Sequence, residues 1–183
     1  MERAADLFAE RGIAATSVDE VLAAAGAGKG QFYHYFRGRD ELAAAAVGFR
    51  CGQVVAGLTQ ALGAVSSLAG LEQALAAFAA GFEQQGMPGC PIGTLSAEVA
   101  GRNEEARRQA AGGFDAWERL LAGALERIRE RGELRAGADP ATLATGLLAS
   151  LEGGMVLSQA RRDMTSLRIA VEAGIAQLRA WKS

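Results

Sequence analysis

The placement of proline along this 183-residue chain is the feature that most constrains its fold. The three prolines stand at positions 88, 91 and 140, which leaves long proline-free stretches. Ala, the best helix former, is the commonest residue, and Leu and Glu are frequent. Alternation of β-branched and polar residues, the signature of strands, finds no support. The chain is therefore expected to be all-α, with about nine helices punctuated by glycine turns.

Composition excludes several classes of protein. Half of the residues are apolar, 22% are charged and the net charge is −2, which is globular rather than disordered. No apolar run reaches the length that spans a bilayer, and the first ten residues lack the apolar stretch of a secretory signal. A single histidine and two distant cysteines provide neither a zinc set nor a disulfide framework. We expect a cytoplasmic protein with no cofactor, no metal site and no membrane partner.

Capping signals predict where the first helices begin and end. Residues 1–11 form a helix that ends at Gly12. Ser17 and Glu20 have the spacing of a capping box, which starts a second helix. Gly26 ends that helix after about two turns.

The remaining helices are predicted from caps and apolar stripes. A short helix over residues 28–36 precedes a long one over 41–62, for which Asp40 is the expected N-cap. A loop covers residues 86–91, and Asp139-Pro140 starts a later helix. Stripes at helical spacing mark the other helices and run over Leu71–Phe82, Leu95–Val99, Phe114–Ile128, Leu143–Met155 and Leu167–Leu178.

Two short helices around a glycine turn, over residues 17–25 and 28–35, have the helix-turn-helix pattern. The second of them begins with Lys29, Gly30 and Gln31. Lys can donate to guanine, Gln can pair with adenine, and Gly lets the DNA approach the backbone. This helix is therefore expected to read bases in a major groove.

Donors that suit phosphate oxygens follow directly. They are Tyr33, His34 and Tyr35 on the same helix and Arg37 and Arg39 just beyond it. Charge alone does not argue for DNA, because residues 1–50 hold six cations and seven acids. A phosphate loop over residues 26–30 is improbable, since the GxxxxGK[ST] spacing and a preceding strand are both missing.

Five short segments in a fixed order resemble a known family. They are Leu7–Gly12, Thr16–Val18, Ala25–Gly30, Phe32–Phe36 and Asp40–Leu42. Together they are similar to the N-terminal domain of TetR-family transcriptional repressors. The resemblance implies a three-helix DNA-binding domain over residues 1–40. A long helix would join it to an all-helical effector-binding and dimerisation domain over residues 41–183.

The resemblance also implies a role for each matching position. Ser17 would cap its helix near a phosphate, Lys29 to Gln31 would face bases, and the others would hold phosphates. The implied DNA-binding residues are Ser17, Lys29, Gly30, Gln31, Tyr33, His34 and Arg39. Two departures weaken the match: Gly28 lacks a capping side chain, and the first helix is expected to be truncated at its N-terminus, which would lower DNA affinity.

The second domain offers candidates for an effector pocket. Large apolar residues on inward stripes could line it, with Trp117 the best candidate because an indole supplies both area and a donor. The alternative is that each is ordinary packed core. The candidates are Phe78, Phe82, Leu95, Phe114, Trp117, Leu121, Leu151 and Met155. Gly153-Gly154 is either a kink beside that pocket or a close helix contact, and Cys90 is either a sensor thiol or, more plainly, a buried cysteine.

Two functions of different classes remain open. The first is a ligand-responsive repressor that binds a palindromic operator as a homodimer through its last two helices. In it the stripes Leu143–Met155 and Leu167–Leu178 bury against their symmetry mates. The second is an all-helical small-molecule-binding or adaptor protein whose helix-turn-helix no longer binds DNA. An enzyme is not expected, because the single histidine leaves no Ser-His or Cys-His arrangement.

Overall fold

The computed structural model describes all 183 residues and consists of nine α-helices, with a single isolated β-bridge between Leu134 and Lys182. This confirms the all-α expectation. The helices are α1 (Glu2–Arg11), α2 (Val18–Ala25), α3 (Lys29–Tyr35), α4 (Arg39–Leu62), α5 (Leu68–Gln84), α6 (Pro91–Val99), α7 (Glu104–Glu130), α8 (Pro140–Arg161) and α9 (Thr165–Ala180).

Most of the predicted helix ends are confirmed by local hydrogen bonds. The Ser17 hydroxyl accepts the Glu20 N–H at 3.2 Å, and the Ser17 N–H donates to the Glu20 carboxylate at 2.8 Å, which completes the capping box. Asp139 accepts the Ala141 N–H at the start of α8, and Pro140 is its first helical residue. The closing glycine of α2, Gly26, has left-handed backbone angles.

The start of α4 differs from the prediction. The helix begins at Arg39, so Asp40 lies in its first turn and is not the N-cap. The Leu42 N–H already bonds to the carbonyl of Gly38, which extends the helical hydrogen bonding to that residue. The Glu41 carboxylate accepts the Arg37 N–H at 2.7 Å, an anion favoured at a helix N-terminus.

The chain forms two compact units, each built from two separate segments. The first comprises residues 1–55 and 91–114, and the second comprises residues 56–90 and 115–183. Both α4 and α7 contribute residues to each unit. The compact units are therefore discontinuous in sequence, whereas the predicted domains divide the chain at a single position.

The first unit has its own apolar core beneath the helix-turn-helix. Small residues on α1 and α4 let the helices pack closely around Phe8 and Phe32. The buried members of this core are Ala4, Ala5, Phe8, Val21, Leu22, Phe32, Leu42, Ala43 and Ala46. This core fixes the side of α3 that faces the protein and thereby the side that faces solvent.

In the second unit α8 and α9 pack closely against each other. A Cβ at Gly154 would lie 3.0 Å from the Leu167 Cα, and a Cβ at Gly174 would lie 2.5 Å from the Leu147 side chain. Of the two interpretations offered for Gly153-Gly154, the close helix contact is thus confirmed at Gly154.

This packing contradicts the prediction that the stripes of α8 and α9 bury against symmetry mates. The side chains of both stripes are already buried within the chain, and they face the interior of its own second unit. They are Leu143, Leu147, Leu151, Met155, Leu167, Val171 and Leu178. Any partner must therefore contact the opposite faces of these helices.

Two helices differ from the expectation that no apolar segment is long enough to span a bilayer. By length and composition alone, α4 and α8 could each cross a membrane. Their apolar residues include Val47 and Leu147, which are buried inside the protein.

Candidate DNA-binding surface

Helix α3 is attached to the first unit by one buried side chain. Phe32 is its only buried residue, and it packs against Phe36 with ring centroids 5.5 Å apart. The other six residues of the helix are exposed, including Tyr33 at 66% and Tyr35 at 65%. A short helix that leaves its polar and aromatic side chains in solvent is shaped to enter a groove.

The exposed side of α3 can be deduced from the position of Phe32. At about 100° per residue, the positions opposite Phe32 are Gly30 and His34. Lys29 and Tyr33 lie on one flank of that face, and Gln31 lies on the other. Nothing lies within 4 Å of where a Cβ at Gly30 would stand, so the middle of the face is open to close approach.

The predicted base-reading Lys29 is in an ion pair in the free protein. Its ammonium nitrogen lies 3.0 Å from Asp19 at the start of α2, and both side chains are largely exposed. Exposed pairs of this kind contribute little to stability, so Lys29 can exchange Asp19 for a base or phosphate.

Ser17 performs the capping role predicted for it. Its N–H and then its hydroxyl hold the pKa of Glu20 below the usual range of a glutamate. The hydroxyl donates to that carboxylate at 2.7 Å. The proposed proximity to a phosphate is separate from this bond and stays a prediction.

Arg39 is exposed but is also attached to the protein. Its guanidinium donates to the backbone carbonyls of Ile13 and Ala14 in the turn between α1 and α2, the second at 2.8 Å. An arginine has five N–H donors, so a phosphate contact is compatible with these bonds. Arg39 therefore fixes the turn, and its phosphate contact stays a prediction.

Two residues at this turn were not identified from the sequence. The Glu98 carboxylate at the end of α6 accepts the Ala14 N–H at 3.1 Å, and the Asn103 amide donates to the Asp40 carbonyl at 2.8 Å. Each of these hydrogen bonds joins residues more than 60 positions apart in the chain, and no short-range sequence pattern predicts such a pair.

The eight candidate effector residues are distributed over both units. Leu95 and Phe114 belong to the first, and the other six belong to the second. Six of the eight are buried, while Phe78 and Phe114 are half-buried. Phe78 and Trp117 form an aromatic pair with centroids 5.8 Å apart, so the two residues predicted to hold a ligand do meet.

Cys90 is a buried thiol rather than an exposed one, with 3% of its surface accessible. It donates a hydrogen bond to Glu152 of α8. Burial raises the pKa of the Glu152 carboxyl, and the bond from Cys90 offsets part of that effect. The Oε1 atom of Glu152 is buried without a hydrogen-bond partner. This geometry favours the buried-cysteine interpretation.

The fold and the exposed helix-turn-helix agree with comparisons against known families. Residues 1–46 match the family of bacterial regulatory proteins named after TetR, and residues 67–173 match the tetracycline repressor-like C-terminal domain. The chain belongs to the TetR family of bacterial transcriptional regulators, which bind DNA through a helix-turn-helix.

Relatives along nearly the whole chain are transcriptional regulators, which is a non-enzymatic role. The regulator YxaF of Bacillus subtilis is 30% identical, over 94% of this chain and 89% of the relative. The regulator Rv0196 of Mycobacterium tuberculosis is 35% identical, over 90% and 84%. The crystal structure of a TetR regulator from Rhodobacter sphaeroides superposes with a TM-score of 0.78 at 26% identity, covering 96% of this chain and 94% of that one.

Proposed function

We propose that this protein is a ligand-responsive repressor that binds palindromic operator DNA as a homodimer in the bacterial cytoplasm. The observation that carries the proposal is α3, which buries only Phe32 and presents its remaining side chains to solvent. In this proposal Lys29, Gly30 and Gln31 read bases. Ser17, Tyr33, His34 and Arg39 hold phosphates.

A second copy of this chain would cover the outer faces of α8 and α9. Each helix has a row of exposed apolar residues spaced by four, three and four positions. The rows are Ala149, Gly153, Val156 and Ala160 on α8, and Ile169, Ala173, Ala176 and Ala180 on α9. Small side chains let helices approach closely, and a symmetric interface of two helices from each subunit makes a four-helix bundle.

A homodimer carries two α3 helices, one for each half-site of an operator. Helix-turn-helix dimers bind half-sites about one turn of DNA apart, roughly 34–36 Å. A palindromic operator follows from the two-fold symmetry of the protein. Two α3 helices that contact two half-sites therefore give the homodimer a DNA affinity that a single seven-residue helix does not reach.

The effector would be a mostly apolar small molecule bound beside the Phe78–Trp117 pair. Trp117 supplies a large apolar surface and one N–H donor, which suits such a ligand. Leu121, Leu151 and Met155 would complete the apolar lining. A structural neighbour, SmeT, is seen in a complex with triclosan, and its fold superposes with a TM-score of 0.72. Ligand and DNA would favour different conformations, with a typical coupling of about 1–3 kcal/mol.

The DNA-binding proposal is tested with duplexes that the wild-type protein selects from a randomised library. Replacing Gln31 with Ala should relax the preference at one base pair by about 1–3 kcal/mol. Replacing Arg39 with Ala should weaken binding to all duplexes and flatten the salt dependence by about one unit. Binding constants measured by fluorescence anisotropy at several salt concentrations separate the two.

An exposed glutamine outside the helix-turn-helix provides the control. Gln73 lies on α5, and its replacement with Ala should change neither affinity nor preference. If the Gln31 variant loses affinity with its sequence preference intact, Gln31 does not read bases. If the wild-type protein selects no duplex at all, the repressor hypothesis is wrong. The alternative, a small-molecule-binding or adaptor protein that no longer binds DNA, is then favoured.

A further inference from the structure

The turn between α1 and α2 is held by charged side chains from two other helices of the first unit. The Ala14 N–H donates to the Glu98 carboxylate at the end of α6. The Ala14 carbonyl accepts from Arg39 at the start of α4. Both polar groups of this one residue are thus bound to ionic partners, and such hydrogen bonds are about twice as strong as neutral ones.

Gly12 brings the turn directly against the Glu98 carboxylate. Its φ is +86°, a region that favours glycine, and a Cβ there would lie 2.7 Å from the Glu98 Oε1. The buried hydroxyl of Thr16 donates to the Gly12 carbonyl at 2.8 Å. The turn therefore has a fixed shape that leads straight into Ser17, the N-cap of α2.

Open space adjoins these hydrogen bonds on one side, while Ile13 of the same turn packs against the apolar core of the unit. A hollow of about 230 Å³ lies between the turn, the start of α4 and the end of α6, and its lining includes Ile13, Arg39, Glu98 and Asn103. On the side of this hollow, the bonds that hold the Ala14 backbone in place are those from Glu98 and Arg39. Loss of the Glu98 contact removes the one side-chain acceptor for the Ala14 N–H.

We propose that Glu98 is a positioning residue for DNA binding. Its carboxylate holds the α1–α2 turn, and through that turn it sets where α2 and α3 stand when the protein meets DNA. This inference rests on the proposed function. Glu98 contacts no DNA in it, and its negative charge by itself would repel phosphates. Positioning and charge thus predict opposite effects on affinity when Glu98 is replaced.

Three substitutions separate the hydrogen bond from the charge. Glu98→Gln keeps an acceptor of the same reach and removes the charge, Glu98→Asp keeps the charge on a shorter side chain, and Glu98→Ala removes both. Affinity for a duplex selected by the wild-type protein should fall about tenfold in the Ala and Asp variants. The Gln variant should bind more tightly than the Ala and Asp variants, because it keeps an acceptor of full reach and loses the negative charge. Glu105→Ala, which removes an exposed charge from α7, should not weaken binding.

Amide hydrogen exchange and chemical shifts measured by NMR on the free protein provide a readout that needs no DNA. The Ala14 amide should exchange fastest in the Ala and Asp variants, with shifts extending over residues 17–35, and the Gln variant should lie between these variants and wild type. Binding of the Ala variant within twofold of wild type, or a Gln variant as weak as the Ala variant, would overturn the proposal. If the wild-type protein selects no duplex, the proposed function fails, and the shifts over residues 17–35 alone decide whether Glu98 positions α2.

Discussion

The two compact units place their candidate functional residues in opposite environments. In the first unit, α3 holds its side chains out to solvent, and a single buried residue, Phe32, anchors it. In the second unit the candidate ligand residues Trp117, Leu151 and Met155 are themselves buried. Contact with DNA needs exposed donors at fixed spacing, whereas contact with an apolar effector needs interior surface.

This difference explains why the DNA-binding surface is easier to predict from the sequence than the effector pocket. An exposed Lys, Gln or Tyr in a short helix has no packing role that would account for it. A buried Trp or Leu serves a core and a pocket equally well, and only the space around it separates the two. The candidate residues on α3 in the first unit are thus donors exposed to solvent, whereas those in the second unit are buried apolar side chains.

The largest expected effect comes from the outer face of the second unit. Val156 is 54% exposed and lies in the apolar row of α8. Replacing it with Arg should leave the monomer folded and prevent dimerisation, because a charge would be buried in the proposed interface. Affinity for the selected duplex should fall at least 100-fold, since one half-site is lost. Analytical ultracentrifugation and anisotropy measure the two results.

Ala77→Arg on the exposed side of α5 is the matched control, and it should remain dimeric. A Val156→Arg protein that sediments as a dimer would place the interface elsewhere. A wild-type protein that is monomeric at micromolar concentration would remove the homodimer altogether.

An intermediate effect is expected at Trp117. Replacing Trp117 with Phe keeps an aromatic ring beside Phe78 and removes the indole N–H, so the core should remain packed. DNA affinity should stay within about twofold of wild type. The release of DNA by a compound found through thermal-shift screening, typically about 5–150-fold, should be lost or strongly reduced. Anisotropy competition with and without the compound measures both.

Leu125→Met provides a comparison at a buried position of α7 outside the candidate set, and it should keep the full response. If both variants respond to the compound as the wild-type protein does, Trp117 belongs to the core and not to the pocket. The buried residues around Trp117 would then have a packing role only, and the second unit would have no effector site at this position.

The smallest effect is expected at Glu152. Because burial raises its pKa, the folded state keeps a proton that the unfolded chain has already released. The folded state is therefore progressively disfavoured as pH rises from the usual range of a glutamate through the raised pKa. Replacing Glu152 with Gln should raise Tm by about 2–4 °C at pH 8 and have little effect at pH 4. Thermal unfolding of both proteins across this range is the measurement.

Glu172→Gln on the exposed side of α9 is the matched control, and its Tm should follow that of wild type at every pH. A Glu152→Gln variant that is less stable than wild type at pH 8 would mean that the charged carboxylate has a stabilising partner.

Local signals account for most of what could be predicted. The capping box of Ser17 and Glu20 and the Asp139-Pro140 start were both found from spacing alone, because each depends on atoms at most three residues apart. Asp40 was misassigned as an N-cap because a neighbouring backbone carbonyl, that of Gly38, extends the helix. The exposed start of α3 agrees with the expectation that Lys29, Gly30 and Gln31 read bases, since residues with that role must face solvent in the free protein.

The sequence by itself determined the helices and most of their caps and predicted the residues that face DNA in the proposed function, since these depend on short-range hydrogen bonds and helical periodicity. Tertiary structure alone decided which stripe of α8 and α9 lies inside the chain and which row is left for a partner. It also brought Glu98 to Ala14 across 84 positions. Such contacts depend on how separate helices pack, and no spacing along the chain encodes the distance between them.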